Sequence, residues 1–131
     1  MPAYVITKAM EVLNKYDKSF SKSKILVLGL AYKPGIDGDR ESPSYYIMDE
    51  LSRLGAVVEY NDPYIPQIPH TRKWNGFEGK KSAPIDGSYD LMIIATAHEI
   101  YKTIDFSKFI VPIIDTRSVL NTNKSHLYYK A

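Results

Sequence analysis

A chain of 131 residues with 44% hydrophobic and 24% charged side chains is long enough to bury one core and too balanced for a disordered or fibrous protein. Lysine and arginine number 17 against 15 acids and are interspersed with them, so the net charge of +2 argues against a general nucleic-acid or membrane-surface binder, while a local anion pocket stays open. Cysteine is absent, which excludes disulfides, thiolate metal sites and a cysteine nucleophile within these residues.

Residues 3–16 place Val5, Ala9, Val12, Leu13 and Tyr16 on one stripe of an amphipathic helix, with Pro2 suited to its first turn. This start lacks the basic-then-apolar plan of a signal peptide. Runs such as ILVLGLAY and LMIIATA are far too short to cross a bilayer, so no membrane contact and a cytoplasmic setting are expected. After the polar break DKSFSKSK, ILVLGL is apolar at consecutive positions and rich in branched residues, the pattern of a strand covered on both faces. A charged loop follows, and then a helix in SPSYYIMDELSRLG. There Ser42 caps the amides, Pro43 takes the first position, Gly55 ends the helix, and Ile47, Leu51 and Leu54 face inward.

The segments AVVEY, LMIIA and VPIID repeat the buried-strand pattern, and LYYK is a final strand. Pro112 is expected to open its strand, since it has no amide to donate. Residues 62–88, rich in proline and glycine, read as loop with one short helix, and another short helix is expected before VPIID. The order predicts an α/β domain, a Rossmann-like three-layer fold with an open, mostly parallel sheet, right-handed crossovers and an N-terminal helix.

In such a sheet ligands bind beyond the carboxyl ends of the strands, where Tyr32 to Arg40 and Asp115 to Ser118 emerge. The usual glycine-rich turns are absent. After Gly29 the chain reads Leu30, Ala31, Tyr32, which is neither G-x-G-x-x-G nor a P-loop. His70, His98 and His126 fall in different segments without metal-ligand spacing or a triad; they read as structural or surface residues, and no metal is expected.

Lys33, biased towards an extended backbone by Pro34, can aim its ammonium into the crevice, and Arg40 opens the next helix near amides that favour anions. Two readings fit that spacing: a phosphate cradle, or a staple in which Arg40 pairs with Asp37, Asp39 or Glu41 while Lys33 is solvated. Arg117, just after IIDT, can converge from a neighbouring strand end with a guanidinium suited to phosphate or a sugar carboxylate. Asp62 ends the second strand, where many Rossmann folds hold a ribose hydroxyl. It lies 33 residues after Gly29 instead of about 20, which favours a turn-forming role with Pro63.

These residues resemble the UDP-glucose and GDP-mannose dehydrogenases, in their C-terminal nucleotide-sugar-binding domain. The resemblance runs through VLGLAYKPGIDGDRESPSYYIMDEL, LGAVVEYNDPYIP and IIDTRSVL, with A-[FY]-K-P followed by R-E-S-P as its most specific part. MPAYVITKAMEVLN is similar to the stretch joining the family's central helix to this domain. Residues 1–20 therefore read as that linker helix, 21–131 as the domain, and Met1 as an internal methionine or an artificial start.

The resemblance implies a larger enzyme with an NAD-binding Rossmann domain and a central dimerisation helix outside these residues. Such enzymes are homodimers or higher oligomers that oxidise the C6 alcohol of a UDP-sugar to a carboxylate in two NAD-dependent steps, through a thiohemiacetal on a cysteine in another domain. No catalytic residue is then expected here. By motif, Tyr32 and Lys33 are implied to contact the nucleotide sugar, Arg117 to hold its phosphate or sugar end, and Arg40 to face the NAD across the cleft. DPYIP and MPAYVI are more similar to members acting on UDP-N-acetylhexosamines. One departure stands out: where the family reads K-P-x-x-D-D-x-R, this chain has Gly38 for the second aspartate and Asp39 beside the arginine. The rival reading is a stand-alone Rossmann-like binding or regulatory module without chemistry.

Overall fold

The computed structural model describes residues 2–31, 42–71, 73–120 and 127–130. Five strands form one sheet: β1 (Lys24–Leu28), β2 (Val57–Asn61), β3 (Leu91–Ile94), β4 (Ile113–Asp115) and β5 (Tyr128–Lys130). All pair in parallel, in the order β2-β1-β3-β4-β5. The sheet is open, and each expected strand is present.

Successive strand side chains point to opposite faces, so the consecutive apolar runs split between two cores. Ile25, Val27, Leu91, Ile93 and Ile114 face helices α1 (Pro2–Lys15) and α2 (Pro43–Arg53). Leu26, Leu28, Met92, Ile94 and Ile113 face Tyr101, Phe106, Val111, Val119 and Leu120 on the other side. That second layer includes two 3-10 helices, Glu99–Thr103 and Phe106–Phe109, in place of the single short helix expected before β4. A further 3-10 turn, Asn75–Phe77, is the short helix of the proline-rich crossover.

The stripe of α1 buries Val5, Ala9, Val12 and Leu13, each large aliphatic among them contributing roughly 1.5–3 kcal/mol relative to exposure. Beyond its end, the Tyr16 and Tyr129 hydroxyls lie 2.7 Å apart and Lys15 Nζ sits 5.0 Å from the Tyr129 ring centroid, tying this helix to the edge strand β5. At the start of α2, Ser42 Oγ accepts from Ser44 N at 3.2 Å and Pro43 occupies the first turn. Gly55 ends the helix with φ +100.

Three local expectations need correction. Leu54 is not inward: it is the C-cap of α2, past the last full turn at the edge of the apolar stripe, and is 47% exposed. AVVEY is not covered on both faces. Val58 and Tyr60 are buried under the helices, but Val57 on the opposite side is 59% exposed, because β2 is an edge strand and the second layer packs over β1, β3 and β4. Pro112 stands one residue before β4, accepting from Met92 N at 3.0 Å without donating to the ladder.

Candidate functional site

A parallel sheet brings the carboxyl ends of its strands to one edge, and four segments meet there: 29–31 after β1, 61–65 after β2, 95–98 after β3 and 115–120 after β4. β1 stops at Gly29, whose φ of +99 turns the chain out of the sheet. Gly29 N donates to Asn61 O at 2.7 Å, and its carbonyl accepts from Ser44 Oγ at 2.7 Å. A Cβ at this position would lie only 2.4 Å from Thr96 Cβ, so glycine here permits a close approach between the ends of β1 and β3.

Asp62, wholly buried, organises the centre of the edge. Its Oδ1 accepts from Tyr64 N at 2.8 Å, closing its own turn. Its Oδ2 accepts from Leu30 N at 2.7 Å and Ala31 N at 2.9 Å, and lies 2.9 Å from His98 Nε2. Since a carboxylate oxygen only accepts, Nε2 carries a hydrogen and donates to it as well. The carboxylate is saturated by the protein and has no face for a ribose hydroxyl; the turn-forming reading of Asp62 is the correct one. Burial first, then the Asp62 charge, push the neighbouring Tyr101 phenol well above its ordinary value, so it remains a neutral donor to Asn61 O at 2.8 Å and Asn61 Oδ1 at 3.0 Å.

Asp115 does the same work after β4. Its Oδ1 accepts from Arg117 N at 3.1 Å and Val119 N at 3.0 Å, and its Oδ2 from Leu120 N at 2.7 Å and Tyr128 Oη at 3.1 Å. Burial and the Asp115 carboxylate push the Tyr128 phenol up to about 12. The turn so made places Ser118 at φ +56 and leaves Arg117 exposed, with its Nε donating to Ala95 O at 3.1 Å. None of the salt bridges among the described residues includes Arg117. Its guanidinium is thus oriented by one backbone carbonyl at the strand edge, with donors left for an anion.

Of the expected site residues, Arg117 is placed at the carboxyl edge as the strand order requires. Tyr32, Lys33 and Arg40 lie outside the described residues, as do Asp37, Asp39 and Glu41 of the rival staple. The turn that leads to Tyr32 is the one held by Asp62. His98 is a buried structural residue and His70 a surface one, 2.9 Å from Glu78 Oε1; His126 lies outside the described residues. No cluster of three metal-ligating side chains occurs among the described residues, nor any helix long and apolar enough to cross a membrane.

Sequence reasoning assigned no role to Thr96 or Asp115 and did not pair His98 with Asp62. Thr96 Oγ1 donates to Ala31 O at 2.8 Å across 65 residues of sequence, and no local pattern announces such a bond. For Asp115 a signal existed: an acid at the last position of a buried strand, followed by polar residues, is a common way to hold a turn.

Residues 26–122 match the family model for the UDP binding domain of the UDP-glucose/GDP-mannose dehydrogenase family. The UDP-N-acetyl-D-mannosamine dehydrogenase of Methanococcus maripaludis strain DSM 14266 is 31% identical over 124 residues, covering 93% of this chain and 27% of that protein. The UDP-glucose 6-dehydrogenase of Rickettsia bellii is 28% identical over 134 residues, covering 94% and 29%. Among solved structures, the UDP-D-ManNAc dehydrogenase of Pyrococcus horikoshii superposes with a TM-score of 0.80 at 25% identity, over 98% of this chain and 30% of that one. The chain spans under a third of the length of these relatives.

Proposed function

The chain belongs to the UDP-glucose/GDP-mannose dehydrogenase family and corresponds to its UDP binding domain, and on that premise we propose that it is the substrate-holding portion of an NAD-dependent UDP-sugar 6-dehydrogenase. The observation that carries this is the match over residues 26–122, whose strand edge presents Arg117 as an exposed guanidinium aimed by Ala95 O. In this reading Arg117, with Tyr32 and Lys33 from the turn after β1, holds the nucleotide sugar. Arg40 faces the cofactor. The sugar is a UDP-N-acetylhexosamine, in keeping with DPYIP, MPAYVI and the relatives that carry UDP-N-acetyl-D-mannosamine dehydrogenase as their name.

The residues present do not form the usual seat for NAD. G-x-G-x-x-G is absent, and the one glycine of the β1 turn is needed for packing against Thr96. NAD, which supplies the hydride acceptor for the C6 alcohol, is held mainly by an N-terminal domain, with residues 1–20 as the linker helix leading from the central domain. The intact protein is a cytoplasmic homodimer or higher oligomer, and the chain by itself does not turn over substrate. A stand-alone module has no specific observation in its favour, since the relatives above are dehydrogenases of which this chain covers one part.

Calorimetric titration with UDP tests the reading, with NAD as the control ligand. Arg117→Ala and Lys33→Ala are each expected to weaken UDP binding by roughly 1.5–3 kcal/mol, the range for hydrogen bonds to charged groups. UDP binding that neither substitution alters would refute it.

A further inference from the structure

The Asp62–His98 pair touches no expected ligand, yet it is better connected than a turn requires. We propose that it is a positioning device for the UDP-contacting edge: together the two side chains lock the turn after β1 and, through Thr96, the segment that aims Arg117. The proposal rests on the reading of Arg117 as a ligand-holding residue.

Closing the turn after β2 needs only the bond from Tyr64 N to Oδ1. The other carboxylate oxygen reaches outward and joins the ends of two more strands, taking Leu30 N and Ala31 N after β1 and His98 Nε2 after β3. His98 is clamped in turn. Its ring lies 4.8 Å from the Tyr64 centroid and 5.7 Å from the Tyr101 centroid, and neither it nor Asp62 is exposed. A carboxylate held by four donors keeps one rotamer, and the backbone it holds keeps one conformation.

From this pair to the arginine the connection is short. Ala31 O, next to the amide bound by Asp62, accepts from Thr96 Oγ1 at 2.8 Å. Ala95, the residue before Thr96, offers the carbonyl that orients Arg117 Nε at 3.1 Å. Thr116 Oγ1 donates to Ile94 O at 2.6 Å, so the Arg117 turn is bound to β3 at a second point. His98 and Ala95 are three residues apart in one segment, and His98 N donates to Thr96 O at 3.0 Å to brace it. Displacing His98 therefore loosens the backbone on which both halves of the site rest.

The test uses the full chain with UDP as probe. His98→Leu keeps an apolar filling and removes the bond to Asp62; His98→Gln restores a donor at the same reach. His98→Leu is expected to raise the UDP dissociation constant about tenfold and His98→Gln to bring it back to within about threefold of the parent. In parallel, the nuclear magnetic resonance cross-peak of Arg117 Nε–H, assigned by its disappearance in Arg117→Lys, should lose its protection from solvent exchange in His98→Leu and regain it in His98→Gln. A merely structural role would lower thermal stability and leave both readouts unchanged.

Where His98→Leu does not fold, Thr96→Val keeps the shape and removes only the bond to Ala31, and a loss of about fivefold in UDP affinity is expected. UDP binding that depends on Arg117 but is indifferent to His98 and Thr96 overturns the positioning proposal alone. Absence of UDP binding in the parent chain overturns the site reading and this proposal with it.

Discussion

Gly29→Ala should cost this protein about 2–6 kcal/mol of folding free energy, combining roughly 1–3 for an L side chain forced to positive φ with about 1–3 for overpacking. Gly29 sits at φ +99, and the added methyl would stand 2.4 Å from Thr96 Cβ and 2.7 Å from both Thr96 N and Oγ1. Thr96 has little freedom to retreat. Its amide donates to Leu28 O at 3.2 Å and its hydroxyl to Ala31 O at 2.8 Å, so relief requires moving the end of β3. A small domain has only about 5–15 kcal/mol in total, and with a urea m-value of roughly 1–3 kcal/mol per molar the unfolding midpoint should fall by about 0.7 M or more. The double variant Gly29→Ala, Thr96→Gly isolates the side-chain clash: it should recover the part due to Thr96 Cβ and Oγ1 while the approach to Thr96 N and the positive φ remain, leaving an interaction energy of about 1–3 kcal/mol in the cycle. A single-variant loss below about 1 kcal/mol, or additivity within about 0.5 kcal/mol, would refute the reasoning that the Thr96 side chain is the obstacle.

Alkaline stability provides a second check. Burial first, and then the hydroxyl of Tyr129, push the Tyr16 phenol from 10.0 up to about 12. The folded state thus favours the neutral phenol, and its contribution is complete below pH 10 and lost as pH rises from 10 towards 12. Tyr16→Phe, which keeps the ring and abolishes the titration, should flatten the fall of the urea midpoint across that window; an unchanged slope would contradict the assignment. At the start of α2, Ser42→Ala should cost about 1 kcal/mol in thermal or urea unfolding while Ser42→Thr, which keeps a hydroxyl acceptor, should cost clearly less, and equal losses would show that the cap bond to Ser44 N is not what matters.

Much of the fold was legible because it is written locally. Consecutive branched apolar residues in ILVL and LMII announce strands covered on both faces, and the Ser42-Pro43 start and Gly55 stop of α2 are chemical signals within a few residues of where they act. The glycine after β1 was visible, as was the failure of the dinucleotide motif around it, but its reason was not: Thr96 packs against it from 67 residues away in sequence.

The same division separates the rest. Position in the chain was enough to put Arg117 after the fourth strand, at the carboxyl edge of the sheet. That its guanidinium leans on Ala95 O follows only from β3 and β4 being neighbours in the sheet. Val57 and Leu54 look apolar enough to be buried, and only the place of β2 at the sheet's edge and of Leu54 beyond the last turn exposes them. Asp62 and His98 each read as ordinary polar residues of a loop. They become a saturated buried pair because the strand order brings the carboxyl ends of β2, β1 and β3 side by side. Backbone preference is set by a residue and its immediate neighbours, so composition and pattern determine the elements; hydrogen bonds across 30 to 70 residues depend on which strands lie adjacent, and packing of the crossovers decides that.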